Sequence, residues 1–480
     1  MQKKKIGICV LAFVLGLAGY SQNKNVDPIG GNQPENNNGV AESEAGKGVS
    51  AANAGEEENR GINGNLRVLS LSNNSYCSNE NGFYYRTQFP EKLKDGTYGY
   101  HMMYMDYAAR QEVYLCSNAG CNHDTLDCTS VFSDEEVGFD SIPFFYEDAL
   151  YLLSKEYDDD GTTFEEQMGD LGDGSGTEIE SMPAALYRMN PDGSGRTKVF
   201  EFPADLTVEE AVLGDDTGLY FIIKELTSEQ SGNSTYMTST KRNLIKVDTK
   251  AWKENKICSM DFTQDKNEDN WKIEGVFGSC LVLENTLYKS EASWQELNED
   301  DDLWKERFKN SEKEFATYDL SDGSFQVVYT IPNKELNVCR QKGNVLYVSV
   351  ENSKEIRQVD LTTGEESAFA NSDGSYIMDT YDDVLYCWAW DSEKDNNLYF
   401  IKYDSGEISQ CGLVNKKTGW NLDIKAEAKD YFLVVYDYDA IDNGNGSYEI
   451  LQYKYALIAK EDFYQGRGEF LPIQMVGKGE

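Results

Sequence analysis

Cys116, Cys121, His123 and Cys128 fall within 13 residues, in the spacing C-x4-C-x-H-x4-C. Three thiolates and one imidazole make a complete tetrahedral set for zinc, and Gly120 lets the chain fold back on a metal. With all four positions filled by protein, such a metal would be structural and not catalytic. The competing chemistry is a disulfide, which an oxidising compartment would favour. Three thiols cannot pair among themselves, so one would need a partner elsewhere, for which Cys77 is available. Cys258, Cys280, Cys339, Cys387 and Cys411 are scattered, several inside strand-like runs, and read as small buried hydrophobes. So many cysteines without an evident partner point to a reducing or anaerobic habitat. Zinc and disulfide both remain open on the sequence alone.

The stretch His123-x4-Cys128 also resembles the second half of a zinc knuckle. The first half departs from it, with four residues between the cysteines where a knuckle has two. Other chemistry is sparse. Histidine occurs only at His101 and His123, which confines histidine-dependent catalysis to those positions. There is no Gly-x-Ser-x-Gly elbow, phosphate-binding glycine loop or His-Glu-x-x-His. The run Asp437-x-Asp439-x-x-Asp442-Asn443-Gly444-Asn445-Gly446 is rich in oxygen ligands. It lacks the spacing and distal Glu of a calcium loop, so it reads as an acidic turn. Asp158-Asp159-Asp160 and Glu299-Asp300-Asp301-Asp302 read as solvated loop charge.

A repeat must position these residues. A strand of Leu-Tyr type, a second strand ending in Asp or Asn, and a Gly-containing turn recur from about Leu66 onward. The clearest copies are Val345-Leu346-Tyr347-Val348 with Val359-Asp360-Leu361-Thr362-Thr363-Gly364, and Val384-Leu385-Tyr386-Cys387 with Tyr403-Asp404-Ser405-Gly406. Further copies centre on Tyr84, Tyr151, Tyr220, Leu281 and Leu433, giving seven units spaced by about 40 to 70 residues. Each fits a four-stranded antiparallel sheet. The expected fold is all-β: a seven-bladed β-propeller spanning 66–480, with insertions at about 157–183 and 290–314. Trp294, Leu297, Leu303, Trp304, Phe308 and Phe315 recur at helical spacing, which predicts a short helical pair or hairpin laid on one blade.

The stretch Tyr187-Arg188-Met189-Asn190-Pro191-Asp192-Gly193-Ser194-Gly195 resembles the repeat of TolB-like β-propellers. That resemblance implies a propeller and a binding or scaffolding role at a bacterial envelope. It brings little chemistry with it. The N-terminus predicts export. Lys3, Lys4 and Lys5 precede an apolar run from Ile6 to Gly19, too short to span a membrane and suited to a signal peptide over residues 1–20. Leu17-Ala18-Gly19 resembles a bacterial lipoprotein signal, but Tyr20 stands where the lipid-accepting Cys would be. Residues 21–65, rich in Asn, Gly, Glu, Ala and Ser, read as a disordered tether.

The formal charge is −40, and −43 without the three signal lysines. That disfavours nucleic acid and anionic membrane surfaces as partners, although peripheral association through the N-terminus fits the lipoprotein-like signal. The expectation is an exported, non-catalytic binding module that recognises a protein or glycan, with one structural zinc as its cofactor. The alternative is a glycan-active hydrolase or lyase using carboxylates at the propeller mouth. The sequence offers many carboxylates and no means of choosing a pair.

Overall fold

The Leu-Tyr strands are the second strands of seven successive antiparallel sheets. In a computed structural model these run from Tyr76 to Pro472. The structure describes residues 65–480 apart from 134, 135, 138, 139, 156, 160–179, 232–233, 263–270, 290–300, 351, 352, 354, 372–374, 392–393, 418, 420, 443–447, 478 and 480. The expected signal peptide and tether lie outside the described residues. So does most of the 157–183 insertion, of which Tyr157–Asp159 pairs with Glu180–Met182.

Blade 5 shows the common plan. Leu336–Lys342, Val345–Val350, Glu355–Asp360 and Glu366–Asn371 pair in sequence order. Blades 2, 4, 6 and 7 repeat it, and the first strands of blades 1 and 2, 4 and 5, 5 and 6, and 7 and 1 lie against one another. Successive side chains of a strand point to opposite faces. Leu346 and Val348 therefore enter a core shared with blade 4, while Tyr347 enters one shared with blade 6. Burial on both faces explains why these strands read as continuous apolar runs rather than as an alternation.

Seven apolar clusters each straddle one pair of neighbouring blades, the pair of blade 7 and blade 1 included. The ring is therefore closed: a seven-bladed propeller of antiparallel sheets. Closure covers the faces of the sheets against their neighbours and leaves only short outer edges.

The turn between third and fourth strands carries the repeated Asp. Asp360 Oδ1 accepts the amides of Thr362 (2.7 Å) and Thr363 (3.0 Å). Asp319 Oδ1 accepts the Ser321 amide at 2.8 Å. Gly323, Gly364 and Gly406 close these turns at φ of 75°, 73° and 66°, where a side chain would be strained. The residue after the Asp then bonds back to the turn joining the first two strands. Leu320 N donates to Ser279 O at 3.1 Å, and Leu361 N to Asn344 O at 2.8 Å.

Two blades depart from the four-stranded expectation. Blade 3 gains Arg67–Ser70, which pairs with its first strand, Leu206–Gly214. In blade 1 the third strand, Tyr98–Asp106, pairs with Gly82–Arg86 and Glu91–Lys92 on one side, and with Gln111–Tyr114 and Val131–Ser133 on the other. Of the predicted helical pair or hairpin, Asp301–Lys309 is a helix, and Trp294 and Leu297 lie outside the described residues. Phe315 is the correction: it belongs to the strand Glu312–Asp319, buried at 0% exposure. Ladder pairing with Cys280–Leu287 overrides the helical spacing there. Asp437 and Asp439, read as an acidic turn, stand on the strand Tyr431–Asp442 and are ion-paired to Lys417 (2.8 Å) and Lys454 (2.7 Å) respectively.

The C-terminal tail latches the ring. Gln474 exchanges backbone hydrogen bonds with Arg110 and Glu112 beside the outer strand of blade 1. The Glu112 side chain, fully buried, accepts the Tyr85 hydroxyl (2.5 Å) and the amides of Val476 (2.6 Å) and Gly477 (2.5 Å).

Candidate metal centre

Cys116 follows the fourth strand of blade 1, Gln111–Tyr114, and Cys128 precedes Val131–Ser133. Both short strands lie on the same edge of Tyr98–Asp106. The cysteine loop is thus an excursion out of one sheet edge and back to it, with a ladder on either side. A simple link from blade 1 to blade 2 would have had no such support.

Within the loop, Cys121 N donates to Asn118 O (3.3 Å), Ser117 N to Thr129 Oγ1 (3.0 Å) and Asn118 Nδ2 to Asp127 O (3.0 Å). Lys94 N donates to Asp124 O at 2.8 Å, which ties the loop to the second side of the blade. Gly120 and His123 take positive φ of 70° and 61°. The left-handed conformation at a histidine is uncommon, and it swings the imidazole back over the thiols.

The four sequence-predicted ligands are brought together. One ligand atom from each of Cys116, Cys121, His123 and Cys128 lies within 4.8 Å of all the others. Such a group can hold a metal ion. His123 Nδ1 sits 3.3 Å from Cys128 Sγ, and the His123 amide donates to Cys121 Sγ at 3.4 Å. Cys116, Cys121 and Cys128 carry free thiols.

The surroundings fit a thiolate site. Burial raises the Cys116 thiol, but the Asn118 amide, the Thr129 hydroxyl and the Cys128 thiol outweigh it and bring the pKa down to about 7. Burial pushes Cys128 up to about 11, against the opposing pull of Ser130, whose Oγ lies 3.1 Å from its sulfur. Burial also lowers His123, which favours the neutral imidazole that a metal requires. Leu93 and Val131 pack against Cys128, Cys116 and Cys121 and form a small apolar core under the loop.

Both histidines of the chain meet here, which the sequence reading missed. Tyr114 stacks on His123 with ring centroids 4.4 Å apart, and His101 meets the same Tyr114 edge-on at 5.0 Å. His101 is 1% exposed, with Nε2 3.6 Å from Glu91. Strand alternation along Tyr100-His101-Met102 was the available signal, because it turns His101 away from its two neighbours.

Gly193 of the Asn190–Gly195 turn in blade 2 packs beside the loop. A Cβ there would lie 2.3 Å from the carbonyl oxygen of Leu115, the residue before Cys116. At φ +79° only glycine fits without strain. A cleft of about 420 Å³ opens at this seam, between Tyr114 and Cys116 on one side and Pro191 and Asp192 on the other.

A second group of charged residues lies on the first strands. In blades 4 to 7 the pairing of the first strand with the second slips by one residue, at Glu274, Asn337, Met378 and Lys425. Such bulges re-aim side chains. Glu274 is half-buried, and burial raises its carboxyl to about 7. Glu284 adds to the rise, while Arg340, Lys313 and Lys272 offset it. Lys313 is paired with Glu284, and Cys339 Sγ lies 3.8 Å from Glu284 Oε2. Arg340 spends Nη1 on Cys339 O (2.9 Å) and Nε on Met378 O (3.3 Å), and so reaches from blade 5 to blade 6. The crowding of protein around Asp379 raises its carboxyl, although solvent reaches the side chain.

No family model and no curated protein matches the chain. Solved structures that resemble it include a puromycin hydrolase, with TM-score 0.44 and 11% identity over 85% of this chain and 54% of that one. An oligogalacturonate lyase in complex with manganese gives TM-score 0.42 and 13% identity over 83% of this chain and 92% of that one. TolB from Acinetobacter baumannii gives 0.31 and 12% identity over 83% of each. The chain spans about half the length of the puromycin hydrolase. At these identities the likeness concerns chain path and says nothing of activity.

Proposed function

We propose that the chain is an exported propeller of the cell envelope that binds a protein or glycan and carries one structural zinc at Cys116, Cys121, His123 and Cys128. The observation that supports the zinc is the convergence of four soft and borderline ligand atoms within 4.8 Å. Thiolate and imidazole donors suit zinc better than the hard cations, which prefer oxygen. With four protein ligands the ion has no open position, so it braces the blade 1 edge and leaves recognition to loops of the ring. Export is supported by the basic and apolar N-terminal run, and binding by the envelope habit of the repeat that Tyr187–Gly195 resembles.

The test has two arms. Metal analysis of purified protein is expected to return one zinc per chain, with chelator loosening the 116–130 loop selectively in hydrogen exchange. Absence of zinc, or a disulfide within the loop in freshly reduced and refolded protein, would end the metal reading. Glycan and peptide arrays then look for the ligand. Cell fractionation checks export, which fails if the chain stays in the cytoplasm.

A second reading, a glycan-active hydrolase or lyase, is favoured by Glu274. That carboxyl is held near neutrality beside Glu284 and Arg340, a pairing suited to general acid–base work. Glu274→Gln would abolish any turnover of oligosaccharides by the wild type. Undiminished turnover in that variant would remove Glu274 from the chemistry.

A further inference from the structure

We propose that Cys116 and Cys128 form a peroxide-sensitive dithiol whose oxidation discharges the metal. This rests on the zinc reading above and adds a modification site to it.

Cys128 places its sulfur within 4.8 Å of those of Cys116 and Cys121. It is 1% exposed, whereas Cys116 is half-buried and lines the open cleft between blades 1 and 2. A small oxidant entering the cleft therefore meets Cys116 first and finds Cys128 behind it, within 4.8 Å. The other described thiols are scattered singly among the strands. Cys339 and Cys387 are buried, and burial keeps both protonated and poorly nucleophilic. The cluster is where a two-electron oxidant finds an accessible sulfur with a resolving sulfur behind it.

The chemistry balances with hydrogen peroxide as oxidant. The Cys116 thiolate attacks one peroxide oxygen and the O–O bond breaks. Sulfur becomes a sulfenic acid, and the departing hydroxide takes a proton to give water. Cys128 sulfur then attacks the sulfenic sulfur, forming the disulfide and expelling the second hydroxide, which also leaves as water. Two thiolates, one peroxide and two protons give one disulfide and two waters. The sulfurs are oxidised and the peroxide oxygens reduced. Only Cys121 and His123 would then be left to hold a zinc ion, too few to retain it. The loop that leaves Leu115 against Gly193 then loses its brace at the seam between blades.

The experiment uses the purified full chain, with its zinc content measured first. Hydrogen peroxide is added beside a chromogenic zinc chelator too weak to strip untreated protein. One zinc is expected to be released per chain, in step with the loss of two titratable thiols. Peptide mapping should return a Cys116–Cys128 disulfide, and dithiothreitol with zinc should reverse the change. Cys116→Ser is expected to slow release by about tenfold or more, because the attacking thiolate is gone. Cys258→Ser should leave it unchanged. Retained zinc and thiols, a disulfide that excludes Cys116, or oxidation spread over the scattered cysteines would overturn the proposal. The mapping needs no variant, so a misfolded Cys116→Ser does not blunt the test. If untreated protein holds no zinc, the metal reading fails on its own, and the disulfide map of the metal-free chain still decides the dithiol.

Discussion

Replacing Glu112 by Ala should loosen the closure of the ring more than any other single change at the chain's end. Its side chain is fully buried and accepts three donors: the Tyr85 hydroxyl and the amides of Val476 and Gly477. An acceptor withdrawn from a buried donor costs about 1–3 kcal/mol, and that range applies to Tyr85, itself at 0% exposure. The two tail amides lie nearer solvent, with the Val476 side chain 51% exposed. Water can replace their acceptor, and each contributes nearer to about 0.5–1.5 kcal/mol. The sum is a loss of about 2–6 kcal/mol, read as a lower urea midpoint with little change in slope. Hydrogen exchange should show protection lost first at Gln474, Val476 and Gly477. Tyr85→Phe removes the stranded donor, so the double variant Tyr85→Phe/Glu112→Ala should recover about 1 kcal/mol or more relative to Glu112→Ala alone. A fall below about 1 kcal/mol with tail protection intact would show that backbone pairing at Gln474 closes the ring without this carboxylate.

Arg242 bonds Glu209 through Nε (2.6 Å) and Nη2 (2.7 Å) and reaches Trp271 O of blade 4 through Nη1 (2.7 Å), so Arg242→Met strands a buried charge. The expected cost is about 3–5 kcal/mol by denaturant titration, and a cost near zero would mean that Lys224 alone satisfies Glu209. Gly193→Ala should cost about 1–3 kcal/mol from the positive φ alone, more from the clash with Leu115 O, and should raise exchange in the cysteine loop; unchanged exchange there would separate the two turns. Asp215 is buried, which raises its carboxyl, but Lys246, the Thr217 amide and the Tyr220 hydroxyl prevail and hold it below the ordinary value. Its folded pKa is the lower one, so its stabilisation is complete above the unfolded pKa of about 3.9 and is lost as pH falls through the folded value. Asp215→Asn should therefore flatten the acid limb of stability below about pH 4, and an unaltered limb would contradict that assignment.

The blades were legible because their signal is local. Asp360 and Gly364 form their turn from neighbouring residues, and Leu346 and Tyr347 display burial on both faces in consecutive positions. All seven strand pairs read from the sequence are second and third strands of blades. What was not legible depends on partners far along the chain. Nothing local to Arg67–Ser70 points to Leu206–Gly214 as its ladder partner, and nothing near Gln474 points to Arg110. Phe315 kept helical spacing with Trp304 and Phe308 by coincidence; its register opposite Glu284 is fixed by a strand some thirty residues earlier.

The two candidate sites divide along the same line. The cysteine loop holds all its ligands between Cys116 and Cys128, so spacing alone announced it, while the ladders on either side and the arrival of His101 needed the fold. The first-strand group is the reverse. Glu274, Glu284, Lys313 and Arg340 come from four strands of two blades, and nothing in the local sequence of any one of them distinguishes it from the other carboxylates and cations of a chain with 84 Asp and Glu. The bulge at Glu274 is the physical mark, because an extra residue turns that side chain out of the regular alternation. Removing the bulge by deleting Glu274 should restore Lys272–Phe277 to plain alternation and shift Ile273 from the core shared with blade 3 toward solvent. Burying Ile273 contributes about 1.5–3 kcal/mol, so the deletion should cost at least that much, well above the exchange of Glu274 for Gln at constant length. Equal costs for the two would mean that the strand absorbs the missing residue elsewhere and that the bulge does not set the position of the carboxylate.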